Sequence, residues 1–161
     1  MQEISFRHGI KALLGTTWTH PSGISLLGEF WFDDSAYSKD EWDDLRELTR
    51  TQRGLLGTGI DGAVYSNIGE SSRFFSQSNL LQQNLLLRLS YDSGNATDGA
   101  LDLLYTPEDS GWVATASLSR EHNNQHLELG LRAFGGHPDS AYRAVPMSST
   151  VYVTWQFSFG L

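Results

Sequence analysis

The chain has 161 residues, 39% of them hydrophobic and 19% charged, with a formal net charge of −8 and a pI near 4.9. That length allows one domain with a sizeable core or a small membrane barrel. The acidic balance leaves no basic stripe to neutralise phosphates, so nucleic acid is excluded as a partner, and the absence of cysteine excludes a disulfide, a thiolate metal site and a cysteine nucleophile. Apolar runs are too short for a transmembrane helix. The opening "MQEISFRHG" lacks the apolar stretch of a signal peptide, so the chain reads as cytosolic, or as a mature or truncated form with an added Met.

In chain order, seven segments alternate apolar and polar residues with period two, the mark of a β-strand with two unlike faces. "GIKALLGTTWTH" puts Ile10, Ala12, Leu14 and Trp18 opposite Lys11, Gly15 and Thr17. "ISLLGEFWF" puts Ile24, Leu26, Phe30 and Phe32 opposite Ser25, Glu29 and Trp31. "NLLLRLSY" sets Leu85, Leu87, Leu89 and Tyr91 against Asn84, Arg88 and Ser90. In "ALDLLYT", Leu101, Leu103 and Tyr105 oppose Asp102 and Thr106. "WVATASLS" separates Trp112, Ala114, Ala116 and Leu118 from Thr115, Ser117 and Ser119. "HLELGLRAF" separates Leu127, Leu129, Leu131 and Ala133 from His126, Glu128, Gly130 and Arg132. The closing "TVYVTWQFSFGL" separates Val151, Val153, Trp155, Phe157, Phe159 and Leu161 from Tyr152, Thr154, Gln156 and Ser158.

All six strand charges, Lys11, Glu29, Arg88, Asp102, Glu128 and Arg132, fall on the polar parity. A soluble sandwich and a membrane barrel both allow this. Three observations favour the barrel. Connections alternate short and long, so the long ones (33–79 and 135–149) fall on one side, as external loops do. Aromatics sort by depth: Trp18, Tyr91 and Phe159 fall near the inner strand ends, and Phe30, Phe32, Tyr105 and Trp112 near the outer ends. Such rings form two girdles at lipid–water interfaces, and Trp155, nearer mid-strand, stands outside the pattern. The polar faces are rich in Ser, Thr, Gly and charge, with Leu13, Leu27, Leu86 and Leu104 as minority members. The six charges are therefore read as lumen-facing, with Lys11 and Glu29 in one hairpin and Arg88 and Asp102 in the next.

The ending "VYVTWQFSFGL" resembles the C-terminal strand of Gram-negative outer-membrane β-barrel proteins, which alternates apolar residues and finishes on an aromatic. Here Leu161 is terminal, and Phe157 and Phe159 supply the aromatics. The resemblance covers, as pattern, most of the chain outside 33–79. It implies a porin-like architecture in a bacterial outer membrane, Phe157, Phe159 and Leu161 as an assembly signal, and as partners the outer-membrane lipid, lipopolysaccharide and the barrel assembly machinery.

The expected fold is therefore all-β: an antiparallel transmembrane barrel with a long, partly helical external loop. Seven strands are visible and eight or more are expected, since single-chain bacterial barrels have an even number. A hidden strand in "GAVYSN" (62–67) or "EISFRH" (3–8) would complete the count. Otherwise residues 1–161 are the C-terminal part of a larger barrel, or share one with further strands from missing sequence or another chain.

Residues 33–79 read as an external or lumen-folded loop. "SKDEWDDLRELTR" opens on a capping box, Ser38 to Glu41, and carries an apolar stripe of Trp42, Leu45 and Leu48. The acids Asp33, Asp34, Asp40, Glu41, Asp43 and Asp44 invite a calcium reading, yet an acidic first turn is ordinary helix chemistry and no EF-hand spacing is present. No metal and no cofactor is expected. "GTGIDG" (57–62) matches a dinucleotide pattern but lacks a βαβ context, so it reads as a loop.

Catalysis would need Ser, His and an acid together. His126 shares a face with Glu128, with Ser117 or Ser119 nearby; His8, His20, His122 and His137 complete the histidines. No nucleophile elbow or zinc-type His–Glu spacing appears, so these read as lumen polar groups and turn residues, not as an enzyme site. "NAT" (95–97) reads as a polar turn. The functional expectation is a porin-like channel or transport component for small polar solutes or an exported polymer. A non-conducting anchor, adhesion or complex-forming barrel is the alternative, and a soluble β-sandwich binding module the rival class.

Overall fold

The computed structural model describes residues 9–72 and 80–158. Seven strands form one open antiparallel sheet in sequence order: β1 Lys11–Thr19, β2 Ile24–Asp33, β3 Gln83–Asp92, β4 Thr97–Thr106, β5 Gly111–His122, β6 Gln125–Gly135 and β7 Ser149–Phe157. Each coincides with one of the seven alternating segments. Two helices, α1 Lys39–Gly54 and α2 Asp61–Ser72, lie in the long connection between β2 and β3.

By its internal contacts the chain divides into two compact units. The smaller comprises residues 1–11 and 32–82. Its helix α1 starts at the expected capping box: Ser38 Oγ accepts the Glu41 N–H at 3.3 Å, and Glu41 Oε2 accepts the Ser38 N–H at 2.9 Å. Of the stripe, Trp42 is buried but Leu48 is half-exposed. Trp42, Ala36, Val64 and Leu81 make a small core. The "GAVYSN" segment lies inside α2 and is no strand. Gly57 and Gly59 take positive φ, Asp61 Oδ1 accepts the Gly57 N–H at 2.6 Å, and the Ile60 carbonyl accepts the N–H groups of Ala63 and Val64. These bonds start a helix where a hidden strand would have completed an even count. "EISFRH" lies outside the described residues.

The larger unit, residues 12–31 and 83–161, contains most of the sheet. One sheet end carries three tight turns, at 20–23, 93–96 and 123–124; the other carries the connections 34–82, 107–110 and 136–148. Backbone bonds tie the tight turns to neighbouring strands, with Asp92 N–H on Gly23 O at 3.0 Å and Glu121 N–H on Ala96 O at 2.7 Å. Gly23 has φ +88°, and a Cβ there would collide with the Asp92 carbonyl. Glycine is required at that position.

On several strands the apolar parity is the more exposed one. On β4, Leu101 and Leu103 are exposed while Ala100, Asp102 and Leu104 are partly sheltered. On β6, Leu127, Leu129 and Leu131 are exposed, His126 and Glu128 are sheltered, and Gly130 is buried. On β7, Val151, Val153 and Trp155 are exposed and Tyr152 and Thr154 are not. None of the buried hydrophobic residues, Ala36, Trp42, Val64, Leu81 and Ala141, belongs to a strand. Leaving so many large apolar side chains half in water forfeits on the order of 10 kcal/mol or more. That rivals the entire stability of an ordinary domain, about 5–15 kcal/mol.

Candidate functional site

The polar face is organised in transverse rows set by strand register. Next to the 107–110 end runs an apolar row, Leu86, Leu104, Val113 and Phe134. The minority leucines of the polar parity on β3 and β4 are thus gathered in one place. Then comes a mixed row, Arg88, Asp102, Thr115, Arg132 and Thr150. A third row holds Ser90, Ala100, Ser117, Gly130 and Tyr152, and a fourth holds Asp92, Asp98, Ser119, Glu128 and Thr154.

Within these rows the charges find local partners. Arg88 meets Asp102 across the β3–β4 ladder at 3.5 Å, as their shared hairpin led us to expect. Arg132 Nε donates to Thr115 Oγ1 at 3.1 Å, and the Tyr152 hydroxyl donates to Glu128 Oε1 at 2.8 Å. Tyr152 lies over Gly130, where a Cβ would overlap its ring. An aromatic placed over a strand glycine in this way covers the gap left by the missing side chain. Around these groups is a cleft of about 550 Å³, lined also by Tyr142.

Tyr142 reaches the cleft because the 136–148 connection is clamped down. The Asp109 carboxylate, in the β4–β5 turn, accepts N–H groups from Gly111 at 2.8 Å and Ala141 at 2.7 Å, and also the Thr106 hydroxyl. Thr106, Ser140 and Ala141 are buried there, and the one-turn 3-10 helix Tyr142–Ala144 packs on β5 and β6. Burial, reinforced by the Asp109 charge, raises the Tyr142 phenol above its ordinary value. The neighbouring Glu108 carboxyl is also raised, chiefly by burial, while the Gln83 N–H that it accepts at 3.0 Å pulls the other way.

Arg88, Asp102, Glu128 and Arg132 therefore share one face and one cleft. Lys11 and Glu29 are not among the residues lining it. Lys11 pairs with the buried Asp33 at 2.8 Å, not with Glu29, which lies against Gly15. Hairpin pairing sets this. Asp34 N–H bonds Ile10 O and His20 N–H bonds Ile24 O, a register that puts Lys11 opposite Asp33.

The aromatics keep the expected strand ends. Trp18 and Tyr91 lie near the tight turns and are half-exposed; Phe30, Phe32, Tyr105 and Trp112 lie near the other end, with the Trp112 ring over Gly135. Trp155 joins the first group: it pairs with Leu127, beside the 123–124 turn, because the ladder ends at Gln125–Phe157. Phe157 is the last strand residue, while Phe159 and Leu161 lie outside the described residues.

The acids of the long connection do not converge. Asp33 binds Lys11 and Ser35, Glu41 serves the capping box, and Asp43 pairs with Arg46. Among the described residues no three metal-type ligands come together. The histidines are likewise scattered: His20 bonds Ser22 in its turn, His126 faces Glu121 at 3.7 Å, and Ser119 pairs in register with Glu128, not His126. "NAT" forms the 93–96 turn and the start of β4, with Ala96 at φ 61°. Comparison with protein-family models, curated proteins and solved structures found no match. The site must be read from its own chemistry.

Sequence reading missed Asp109, Tyr142 and Tyr152. The first had a signal, since "PEDSG" is a turn whose Asp can accept backbone N–H groups. Tyr152 was legible only as a bulky member of the polar parity; its role depends on meeting Gly130 across the ladder.

Proposed function

We propose that this chain forms all or part of an outer-membrane β-barrel, with the apolar face toward lipid and the polar face toward a lumen that admits small polar solutes. One observation carries the reading: the sheet exposes the leucines of its apolar parity, while Asp102, Ser117, Glu128 and Tyr152 on the other parity are partly sheltered. Water would drive the opposite arrangement, whereas hydrocarbon favours this one. A soluble sandwich needs a second sheet over the leucines, and among the described residues all seven strands belong to one.

Seven antiparallel strands leave β1 and β7 running in the same direction. Pairing them would make a parallel seam, so closure calls for an odd number of further strands, from sequence outside the described residues or from another chain. Open edges in hydrocarbon are too costly to persist. In this reading the three tight turns face the periplasm, the long connections face lipopolysaccharide, and the final strand is presented to the assembly machinery.

Lumen chemistry then follows from the rows. Asp92, Asp98, Asp102 and Glu128 outnumber Arg88 and Arg132, so the polar face favours cations and neutral polar solutes over anions. The non-conducting alternative draws on a different observation, the Tyr142 segment held against an apolar row at one end of that face. Conductance in planar bilayers separates the two. A channel gives unitary currents with cation preference, and a silent, correctly inserted protein makes the barrel an anchor.

A further inference from the structure

The other face of the sheet carries an unassigned trough of about 690 Å³, within the range of roughly 300–1,000 Å³ typical of small-molecule sites. Its walls are Leu89, Leu101, Leu118, Leu129 and Leu131, and Ala116 opens its floor. Small residues on β4 and β5 sink the surface there: Leu101 pairs with Ala116, Leu103 with Ala114, and Leu118 with Gly99.

A charge lies just beyond the Leu118 end of this trough. Arg120 follows Leu118 by two residues on the same face, about 7 Å along the strand. It is exposed, and its side chain has no hydrogen bond or ion pair among the described residues. Its transverse row reads Thr97, Arg120, Leu127 and Trp155, with no acid in it. Asp98 and Glu128 point to the opposite face. A cation on an otherwise apolar face, next to the tight turns and in one transverse row with an indole two strands away, is placed to snorkel toward an interface and meet an anion there.

We propose that this trough is a phospholipid site, with one acyl chain lying between the leucines and the lipid phosphate held by Arg120. The charge argues for a lipid carrying phosphate over a purely apolar occupant. This rests on the membrane reading of the apolar face.

The test is native mass spectrometry of the full chain folded in detergent micelles and titrated with dioleoylphosphatidylglycerol or dioleoylglycerol, which share their chains and differ in the phosphate. One phosphatidylglycerol should be retained about tenfold more tightly than the diacylglycerol, as one charge-assisted contact implies. Arg120→Gln should abolish that preference, and Ala116→Phe, which fills the trough, should weaken both lipids. Arg120→Gln alters only an exposed strand end, so it keeps the test decisive if Ala116→Phe fails to fold. Equal retention of both lipids by the unaltered protein, or a preference that survives Arg120→Gln, overturns the site. If the protein enters lipid and shows no preference, the site fails while the membrane reading stands; if it never enters lipid, both fail.

Discussion

The ring of Tyr152 lies across the backbone of Gly130 and its hydroxyl reaches Glu128 Oε1 at 2.8 Å. A side chain at position 130 and the tyrosine cannot both occupy that space. Gly130→Ala should therefore destabilise the folded protein by about 1–3 kcal/mol, the usual cost of overpacking. In a Tyr152→Ala background the same change should be close to neutral. Urea midpoints of the two single variants and the double variant give the coupling directly. Additive effects would mean that ring and glycine do not share the space.

Asp109 holds two parts of the chain together through three acceptor bonds. Asp109→Ala leaves the Gly111 and Ala141 N–H groups and the Thr106 hydroxyl without their acceptor, at an expected cost on the order of 2–3 kcal/mol. The loss should be local. Amide exchange at Ala141 and Arg143 should accelerate by at least tenfold while that of Leu129 and Leu131 stays slow. Uniform acceleration would make Asp109 part of the global core instead.

The raised Glu108 carboxyl predicts a pH dependence with a definite sign. Held above its ordinary value chiefly by burial, Glu108 stays protonated in the folded protein at a pH where the unfolded chain has released its proton. Folding then takes up protons, so its contribution to stability falls as pH rises from the ordinary carboxylate range through the folded value. Glu108→Gln keeps an oxygen for the Gln83 N–H and removes the charge. The variant's unfolding midpoint should lose that downward slope above the ordinary carboxylate range and match or exceed the unaltered protein at neutral pH.

The two sheet faces should respond oppositely to charge. Leu129→Arg, on the apolar face, should block insertion into lipid, since an arginine at mid-depth costs about 2–4 kcal/mol. Thr154→Arg, on the polar face beside Glu128, should insert normally. Yields of folded protein in liposomes compare them, and equal yields would remove the distinction between the faces.

Strand positions were readable because period-two alternation is a local property: all seven apolar/polar runs became strands. The Ser38–Glu41 box was readable for the same reason, as its bonds span three residues. What escaped depended on pairing. The partner of Lys11 follows from the β1–β2 register, which puts Asp33 and not Glu29 opposite it. Trp155 looked mid-strand in the sequence, whereas its partner Leu127 lies two residues from the Gln125–Phe157 pair beside the 123–124 turn. "GAVYSN" was a candidate strand only because seven is odd, and the Gly57–Asp61 bond and the Ile60 carbonyl commit it to α2. The site's clamp, Asp109 to Ala141, joins residues far apart in sequence, and no local pattern announces it.

Folding from urea into liposomes tests whether the exposed leucines of the sheet face lipid. Gel mobility is compared with and without boiling, against the same dilution into lipid-free buffer. A compact, heat-modifiable species that forms only with lipid is the predicted result. A soluble monomer that folds in buffer alone, with Leu129 and Val153 protected from water, would contradict the account.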